Sequence, residues 1–331
     1  MDPAAADIPR RGPRRRLALA ALGIVLAAAG GELVARLGLG LGDPPLSDAY
    51  PDLEYAFRPG TYRRFGNTIR INSHHMRSDE FPDRKERPDE FRVLLMGDSV
   101  VNGGALTDQA DLASEVLRER LTRALGRPAV VGNVSAGSWG PGNLLAYARR
   151  FGLFDADVVV VVLTSMDAGD VPTGRAVVGV DPSFPARRPW SALGEAVTRY
   201  LLPRIQPAGS PMDATPAPDA GPEAFARGMR DLGELADLVS ASGARLVIAH
   251  FPDRGELAGS MLPGHDAIAG LAAERDIPFV ELSPAIAAAV AAGSEPYRPG
   301  DSIHPNAAGQ RIIADSLLLT IATIGGQRDG D

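Results

Sequence analysis

Five short apolar runs, all after residue 90, constrain the fold of this 331-residue chain most strongly. They are rich in β-branched residues and cover 93–96, 129–134, 158–163, 246–249 and 279–282. Between them apolar side chains recur at helical spacing, as at Leu112, Val116, Leu117, Leu121 and Leu125. Strands that alternate with helices predict an α/β fold, a parallel sheet with helices on both faces. In such sheets functional groups collect at the carboxyl ends of the strands.

The N-terminal segment has a different composition from the rest. Five arginines (Arg10, Arg11, Arg14, Arg15 and Arg16) precede an uncharged apolar run over 17–31. The run reaches spanning length only by including Glu32 and Arg36, which can pair at i and i+4. This pattern predicts a transmembrane signal-anchor over 1–42, with the body in the periplasm or at the cell surface. A cleaved signal is the alternative, less favoured because no clear A-x-A site precedes Asp43.

Charge and cysteine content narrow the function classes. The first 42 residues hold six of the 34 Lys and Arg and three of the 41 Asp and Glu, so the remainder carries a net charge of −10. Such a body is repelled by phosphate backbones, which argues against nucleic acid as a partner. The chain has no cysteine, which excludes thiol nucleophiles, thiolate metal sites and disulfides.

Composition also suggests how the chain is divided. Residues 43–90 are rich in Pro, Asp and Arg, which predicts a stalk with a small β element at 68–71. Residues 91–325 are expected to form the main domain, interrupted by an insertion at 171–222 with a helical pattern over 190–202. The Pro- and Ala-rich stretch 206–221 predicts a mobile loop. No protein partner can be inferred from these features.

Two distant segments together offer the parts of a serine hydrolase. Ser99 follows the first apolar run, and Asp301 and His304 lie three residues apart before the last helical pattern. A serine hydroxyl needs a base to take its proton, and the base needs a group that orients it. Each residue also has a plainer interpretation, Ser99 as a helix N-cap and His304 as a solvated loop histidine.

The ordered set Gly97-Asp98-Ser99, Asn133…Gly137 and Asp301-x-x-His304 resembles the SGNH/GDSL hydrolase superfamily. The segment 71–77 after the anchor is also similar to membrane-anchored bacterial members. The resemblance implies a flavodoxin-like three-layer α/β/α fold with Ser99 as nucleophile, His304 as base and Asp301 as its orienting partner. It implies no metal and no cofactor.

The expected oxyanion donors are the backbone N–H groups of Ser99 and of Gly137 or Ser138. In the family the asparagine of a Gly-x-Asn-Asp block adds a side-chain donor, but Met166 stands at that position here. The candidates to replace it are Thr164, Ser165, Asn102 and Asn143.

Further residues are candidates for substrate contact or for support of the site. They are Asp98, Asn102, Asn133, Trp139, Asn143, Thr164, Ser165, Asp167 and His250. Trp139 is suited to stack on a sugar, with core packing as the alternative. His250 is interpreted as a hydrogen-bonded supporting histidine.

The sequence therefore predicts an anchored serine esterase that removes acetyl or other short acyl groups from an envelope carbohydrate or lipid. An O-acyltransferase that modifies an extracytoplasmic polysaccharide would use the same triad. A non-catalytic envelope protein with this fold is the third hypothesis, suggested by Met166.

Overall fold

The computed structural model describes residues 13–202 and 221–327. Nine strands are present in these ranges: β1 Ser47–Tyr50, β2 Glu54–Phe57, β3 Gly60–Arg64, β4 Asn67–Ile71, β5 Phe91–Gly97, β6 Ala129–Ser135, β7 Val158–Leu163, β8 Arg245–His250 and β9 Phe279–Glu281. The α-helices there are α1 Pro13–Leu37, α2 Ser99–Asn102, α3 Ala113–Leu125, α4 Pro141–Phe151, α5 Ala192–Glu195, α6 Pro222–Ala241, α7 Arg254–Ala258, α8 Pro263–Glu274, α9 Ser283–Ala291 and α10 Ala307–Gln327.

The five predicted strands form one sheet, in the order β6-β5-β7-β8-β9, and every pair is parallel. β7 lies at the centre and reads as five valines and a leucine, all buried. Stiff β-branched side chains favour a strand, and a strand covered on both faces needs apolar residues throughout. Separate apolar clusters fill the two sides of the sheet. The predicted three-layer α/β/α fold is confirmed.

Residues 43–90, for which a stalk with a small β element was predicted, contain two antiparallel hairpins over 47–71, β1-β2 and β3-β4. The β element expected at 68–71 lies in β4. Leu53, Tyr55 and Met76 are at most 3 % exposed and join the core cluster beside the sheet. Burial of these side chains holds the segment against the body, which the polar composition did not reveal.

Within the described ranges, two helices are long and apolar enough to cross a membrane. One spans Arg14–Leu37 with a mean hydropathy of 2.1, and it is exposed along its apolar stretch, with Ala35 near its end buried. The other, α10, is one-third buried and packs against α3, as the core helix of a globular domain does. The N-terminal helix is therefore the candidate for a signal-anchor or membrane span.

The insertion is described as far as residue 202. The expected helix over 190–202 is present in part, as α5 followed by a π-helical turn, Ala196–Leu201. Its apolar side chains pack with Ala35 and Leu41, at and just beyond the end of α1. Most of the stretch 206–221, predicted to be a mobile loop, lies outside the described residues.

Candidate active site

A sharp turn at the end of β5 places Ser99. A side chain on Gly97 would approach Val101 Cγ2 to 2.5 Å and the carbonyl oxygen of Val162 to 2.8 Å, so only glycine fits. Asp98 then caps α2, because its Oδ1 accepts the N–H of Val100 at 2.8 Å. Ser99 is the first residue of α2 and lies half-buried at the carboxyl edge of the sheet. Because Asp98 supplies the N-cap, the partly accessible Ser99 hydroxyl is available for a chemical role.

The loop before α10 brings a histidine and a carboxylate to this serine. His304 Nε2 lies 2.9 Å from Ser99 Oγ, and His304 Nδ1 lies 2.8 Å from Asp301 Oδ2. Burial raises the pKa of Asp301, but the backbone N–H groups of His304 and Ile303 and the His304 ring outweigh it and lower the pKa below its ordinary value. Asp301 is therefore ionised where it meets the ring, and both its oxygens accept hydrogen bonds.

Two arginines hold this loop in place. Arg254 Nε donates to the carbonyl of Asp301 at 2.9 Å, and its backbone N–H donates to that of Ser302 at 2.9 Å. Arg298 donates its backbone N–H to His304 O at 3.0 Å and its Nη2 to Gly103 O at 2.6 Å. Arg298 therefore links the histidine loop directly to the chain that leaves α2, which fixes the distance between the two halves of the site.

Backbone donors are available around Ser99. Within 13–202 and 221–327, no protein acceptor contacts the N–H groups of Ser99, Gly137 or Ser138. Ser138 has a φ of 58°, a left-handed conformation that usually favours glycine. Tyr55 Oη donates to Gly137 O at 2.7 Å, and in a trans peptide the N–H of Ser138 points the opposite way. Tyr55 thereby orients the predicted oxyanion loop.

Of the four candidates to replace the missing amide at Met166, Asn102, Asn143 and Ser165 are already hydrogen-bonded to other groups. Met166 is 54 % exposed and has no N–H to offer. Asn102 Nδ2 donates to Ser135 O at 2.9 Å, and Asn143 Nδ2 donates to Leu53 O at 3.1 Å. Ser165 Oγ is engaged by a glutamate and a histidine. Thr164, the fourth candidate, is only 2 % exposed, at the start of the turn that Asp167 closes.

Three other sequence candidates support the site from within the fold. Asn133 is fully buried and its Nδ2 donates to Val101 O in α2 at 3.1 Å. His250 is also fully buried, and its Nε2 contacts Ser165 Oγ at 2.9 Å. This contact is consistent with the expectation of a hydrogen-bonded supporting histidine. Trp139 is 1 % exposed and packs edge-on with Tyr55, so the core alternative holds and stacking on a sugar is ruled out.

One buried arginine was not assigned a role from the sequence. Arg77 donates to three backbone carbonyls of the loop after α2, those of Asn102, Gly104 and Thr107. Burial and the nearby Arg298 lower the pKa of Arg77 to about 9. Arg77 ends the segment 71–77 that resembled anchored family members. The sequence therefore showed the motif, but it did not indicate that Arg77 binds carbonyls 25 to 30 residues away.

Three carboxyl groups are grouped near Ser99 and titrate abnormally. Burial raises the pKa of Asp98, and burial together with Asp98 raises that of Asp167 well above its ordinary value. Burial, Asp98 and Glu54 raise the pKa of Asp170 to about 7. A carboxyl with a raised pKa in the folded state opposes folding once the pH is high enough to ionise it.

The buried His250 belongs to the one candidate metal-binding group of the described ranges. The ligand atoms of His250, His265 and Glu281 lie within 4.8 Å of one another. However, Glu281 Oε1 contacts His250 Nδ1 at 3.2 Å, and its Oε2 contacts His265 Nε2 at 2.9 Å. The three residues are thus satisfied as a hydrogen-bonded chain that supports Ser165.

Asp170→Asn should change the pH dependence of stability. Asparagine mimics the protonated acid, so the variant and wild type should be similarly stable near pH 4. Above pH 4, Asp170 ionises in the unfolded chain with a pKa near 3.8, whereas in the folded protein its pKa is about 7. The wild type therefore loses stability as the pH rises. The variant should be more stable by about 2 kcal/mol near pH 8, with about 4 as the upper limit. Urea unfolding at both pH values measures the difference.

The exposed Asp276→Asn is the matched control for loss of one carboxylate, and its urea unfolding is compared at the same two pH values. An Asp170→Asn difference that stays constant with pH would contradict the raised pKa.

A family profile and several solved structures match the chain. The sequence profile of the GDSL-like Lipase/Acylhydrolase family matches residues 95–312, about two-thirds of the chain. No curated protein matches the sequence. Similar solved structures include an alpha/beta hydrolase enzyme from the metagenome of Lake Arreo, Spain, with 15% identity, a TM-score of 0.46 and coverage of 71% of this chain and 96% of that one.

An acetylxylan esterase from Geobacillus stearothermophilus, solved as a catalytic mutant, has 14% identity, a TM-score of 0.45 and coverage of 70% of this chain and 94% of its own. A two-domain esterase active on acetylated mannans has 14% identity, a TM-score of 0.46 and coverage of 72% and 50% respectively. The family match begins within β5 and includes Ser99, the predicted oxyanion loop and the loop that carries Asp301 and His304. The chain belongs to the GDSL-like lipase/acylhydrolase family, and it is a hydrolase that acts on ester bonds.

Proposed function

We propose that the chain is a membrane-anchored serine esterase that removes short O-acyl groups from an extracytoplasmic carbohydrate or lipid. The observation that carries the proposal is the continuous contact from Ser99 Oγ to His304 Nε2 and from His304 Nδ1 to Asp301 Oδ2. This arrangement activates a hydroxyl that is a poor nucleophile at its own pKa.

In the proposed mechanism Ser99 Oγ attacks the ester carbonyl carbon while His304 Nε2 takes the hydroxyl proton. The negative charge that develops on the carbonyl oxygen is stabilised by the N–H groups of Ser99, Gly137 and Ser138. His304 then gives the proton to the leaving alcohol, which leaves an acyl group on Ser99. A water molecule, deprotonated by His304, attacks this acyl-enzyme, and the acid is released as His304 returns the proton to Ser99 Oγ. Asp301 remains ionised and stabilises the imidazolium form of His304 throughout.

An apolar cleft beside the loop after α2 supports a short acyl group. The cleft holds about 100 Å³ and is lined in part by Phe57, Ile69, Ile71, Asn102, Gly104 and Ala105. A water molecule in the liquid occupies about 30 Å³, so the space fits a few carbon atoms and not a fatty acyl chain. Asn102 and Gly104 follow Ser99 by three and five residues, so the cleft is lined in part by the chain that leaves the proposed nucleophile, and we propose that the acyl group enters it from there.

The extracytoplasmic placement rests on the N-terminal helix. Arginines at 10, 11 and 14–16 precede its uncharged apolar run, and positive charge of this kind is retained on the cytoplasmic side. The helix would therefore cross outward, with the body following it on the far side of the membrane.

The proposed triad predicts covalent labelling by a fluorophosphonate probe. Wild-type protein should react at Ser99, because the probe needs both an activated serine and an oxyanion pocket. Ser99→Ala and His304→Ala should abolish the labelling, and Asp301→Asn should lower ester turnover about 1,000-fold or more through loss of ring orientation. In-gel fluorescence and steady-state kinetics measure the two effects.

Ser302→Ala is the matched control, since this exposed serine lies on the same loop as His304 and should leave labelling intact. A folded wild-type protein that does not react would rule out the esterase proposal and favour a binding role.

Met166→Asn should make the enzyme faster. The substitution restores a side-chain amide where the family carries one, and loss of such a donor costs ~100–1000-fold in rate. We expect kcat to rise about 10-fold or more with little change in KM, measured on an activated acetyl ester. Met166→Gln, whose amide sits one methylene farther out, is the control and should gain less. An unchanged kcat for Met166→Asn would mean that backbone donors already complete the oxyanion hole.

Ala105→Phe should narrow the range of acyl chains. A phenyl ring at this half-buried position would fill the cleft, so kcat/KM should fall about 10-fold for a butyryl ester and remain within about twofold for an acetyl ester. The exposed Ala110→Phe should affect neither substrate. Equal losses for both esters would show that the acyl chain binds elsewhere.

A further inference from the structure

The end of α1 is joined to the insertion by a specific set of hydrogen bonds. The Glu32 carboxylate accepts Ser191 Oγ at 2.9 Å and the N–H groups of Ala192 and Leu193 at 2.8 and 3.0 Å. Arg36 pairs with Glu32 at 2.6 Å and donates to Trp190 O at 3.1 Å. The two charges that interrupt the apolar helix are therefore used to bind residues 190–193.

These contacts fix the height of residues 190–193 relative to α1. Glu32 and Arg36 precede the last helical residue, Leu37, by five residues and one residue, or about 8 and 2 Å at 1.5 Å per residue. Leu33 and Leu37 in the same turns remain 58 % and 80 % exposed. If α1 spans a bilayer, residues 190–193 lie beside its final turns, at the depth of the interfacial layer.

The insertion is also bound to the body, so the positions of residues 190–193 and of the end of α1 relative to the body are fixed. Arg64 in β3 and Glu195 in α5 form an ion pair at 2.5 Å and are 1 % and 4 % exposed. Glu195 Oε2 accepts the N–H of Gly42 at 2.6 Å, and Arg64 donates to Gly40 O at 3.1 Å. The hairpin, the turn after α1 and α5 are thus connected through one buried charge pair.

The face that this segment presents has the chemistry of a membrane interface. Trp190 is 92 % exposed, and Val197 and Leu201 in the following turns are 42 % and 51 % exposed. Arg187 and Arg188 beside Trp190 are exposed as well, although Arg188 Nε also pairs with Asp43 Oδ1 at 2.7 Å. Tryptophan prefers the headgroup layer because its ring is apolar and its N–H is polar, and arginine pairs with anionic headgroups.

We propose that the segment 187–201 is an interfacial docking element, with Trp190 seated among the headgroups of the leaflet that α1 enters on the side of the body. The inference rests on the proposed membrane anchor. It adds that the body is held against the bilayer at a fixed height by Glu32, Arg36 and the Arg64–Glu195 pair, instead of swinging on a flexible tether. The esterase would then act on substrates close to the membrane surface.

Brominated lipids test this placement because bromine quenches nearby tryptophan fluorescence. The chain has two tryptophans, Trp139 in the core and Trp190 at the surface. Full-length protein in vesicles of phosphatidylcholine and phosphatidylglycerol should lose Trp190 emission roughly twofold when the bromines lie near the headgroups, and less when they lie near the chain ends. The Trp139→Phe variant isolates this signal, and the difference between wild type and Trp190→Phe gives it again without altering the core.

The Trp190→Phe variant should show almost no quenching, since Trp139 is shielded by protein. Trp190 emission that is insensitive to bromine in vesicles that carry the protein on flotation would overturn the docking proposal while leaving the anchor intact. Protein that does not float with vesicles would overturn the anchor and the docking element together. Probe labelling at Ser99 reports separately on the esterase chemistry, so the failures can be told apart.

Discussion

The arrangement of the site depends on the close packing of β5 between β6 and β7 and on the turn that follows it. Gly97 lets the chain pass against Val162 and Val101 where no side chain fits, and this proximity presents Ser99 at the edge of the sheet. The surrounding hydrogen bonds then fix the position of this turn relative to the histidine loop. Arg77 binds the carbonyls of the loop after α2, and Arg298 joins that loop to His304.

The two halves of the site meet because parallel strands end at one edge. Ser99 follows β5, which lies between β6 and β7, whereas Asp301 and His304 lie on the loop before α10, some 200 residues later. The carboxylate and the ring are close in sequence, so their pairing is local. The pairing of His304 with Ser99 is tertiary, and it depends on Arg254 and Arg298 to hold the loop.

Much of the fold and of the candidate site could be predicted from the sequence. The five apolar runs matched all five strands of the sheet, because a buried parallel strand needs a continuous apolar pattern. Ser99, Asp301 and His304 were predicted because serine activation requires these three residue types and because their motifs, in this order, resemble the family. The roles of Arg77 and Tyr55 were not predicted, since both side chains donate to backbone carbonyls distant in the chain. Every residue has a backbone carbonyl, so the sequence does not indicate which one is bound. The prediction of a stalk did not include the burial of Leu53 and Tyr55, because the polar composition of 43–90 does not indicate it.

The most direct test of the central claim is to trap the acyl-enzyme. Mixing the protein with an activated acetyl ester, quenching in acid within the first turnover and mapping the peptides by mass spectrometry locates the acyl group. The account predicts one acetyl group per chain on the peptide that contains Ser99, and none in Ser99→Ala. Ester hydrolysis by the folded protein without any acylated Ser99, or with the acetyl group on another residue, would contradict it.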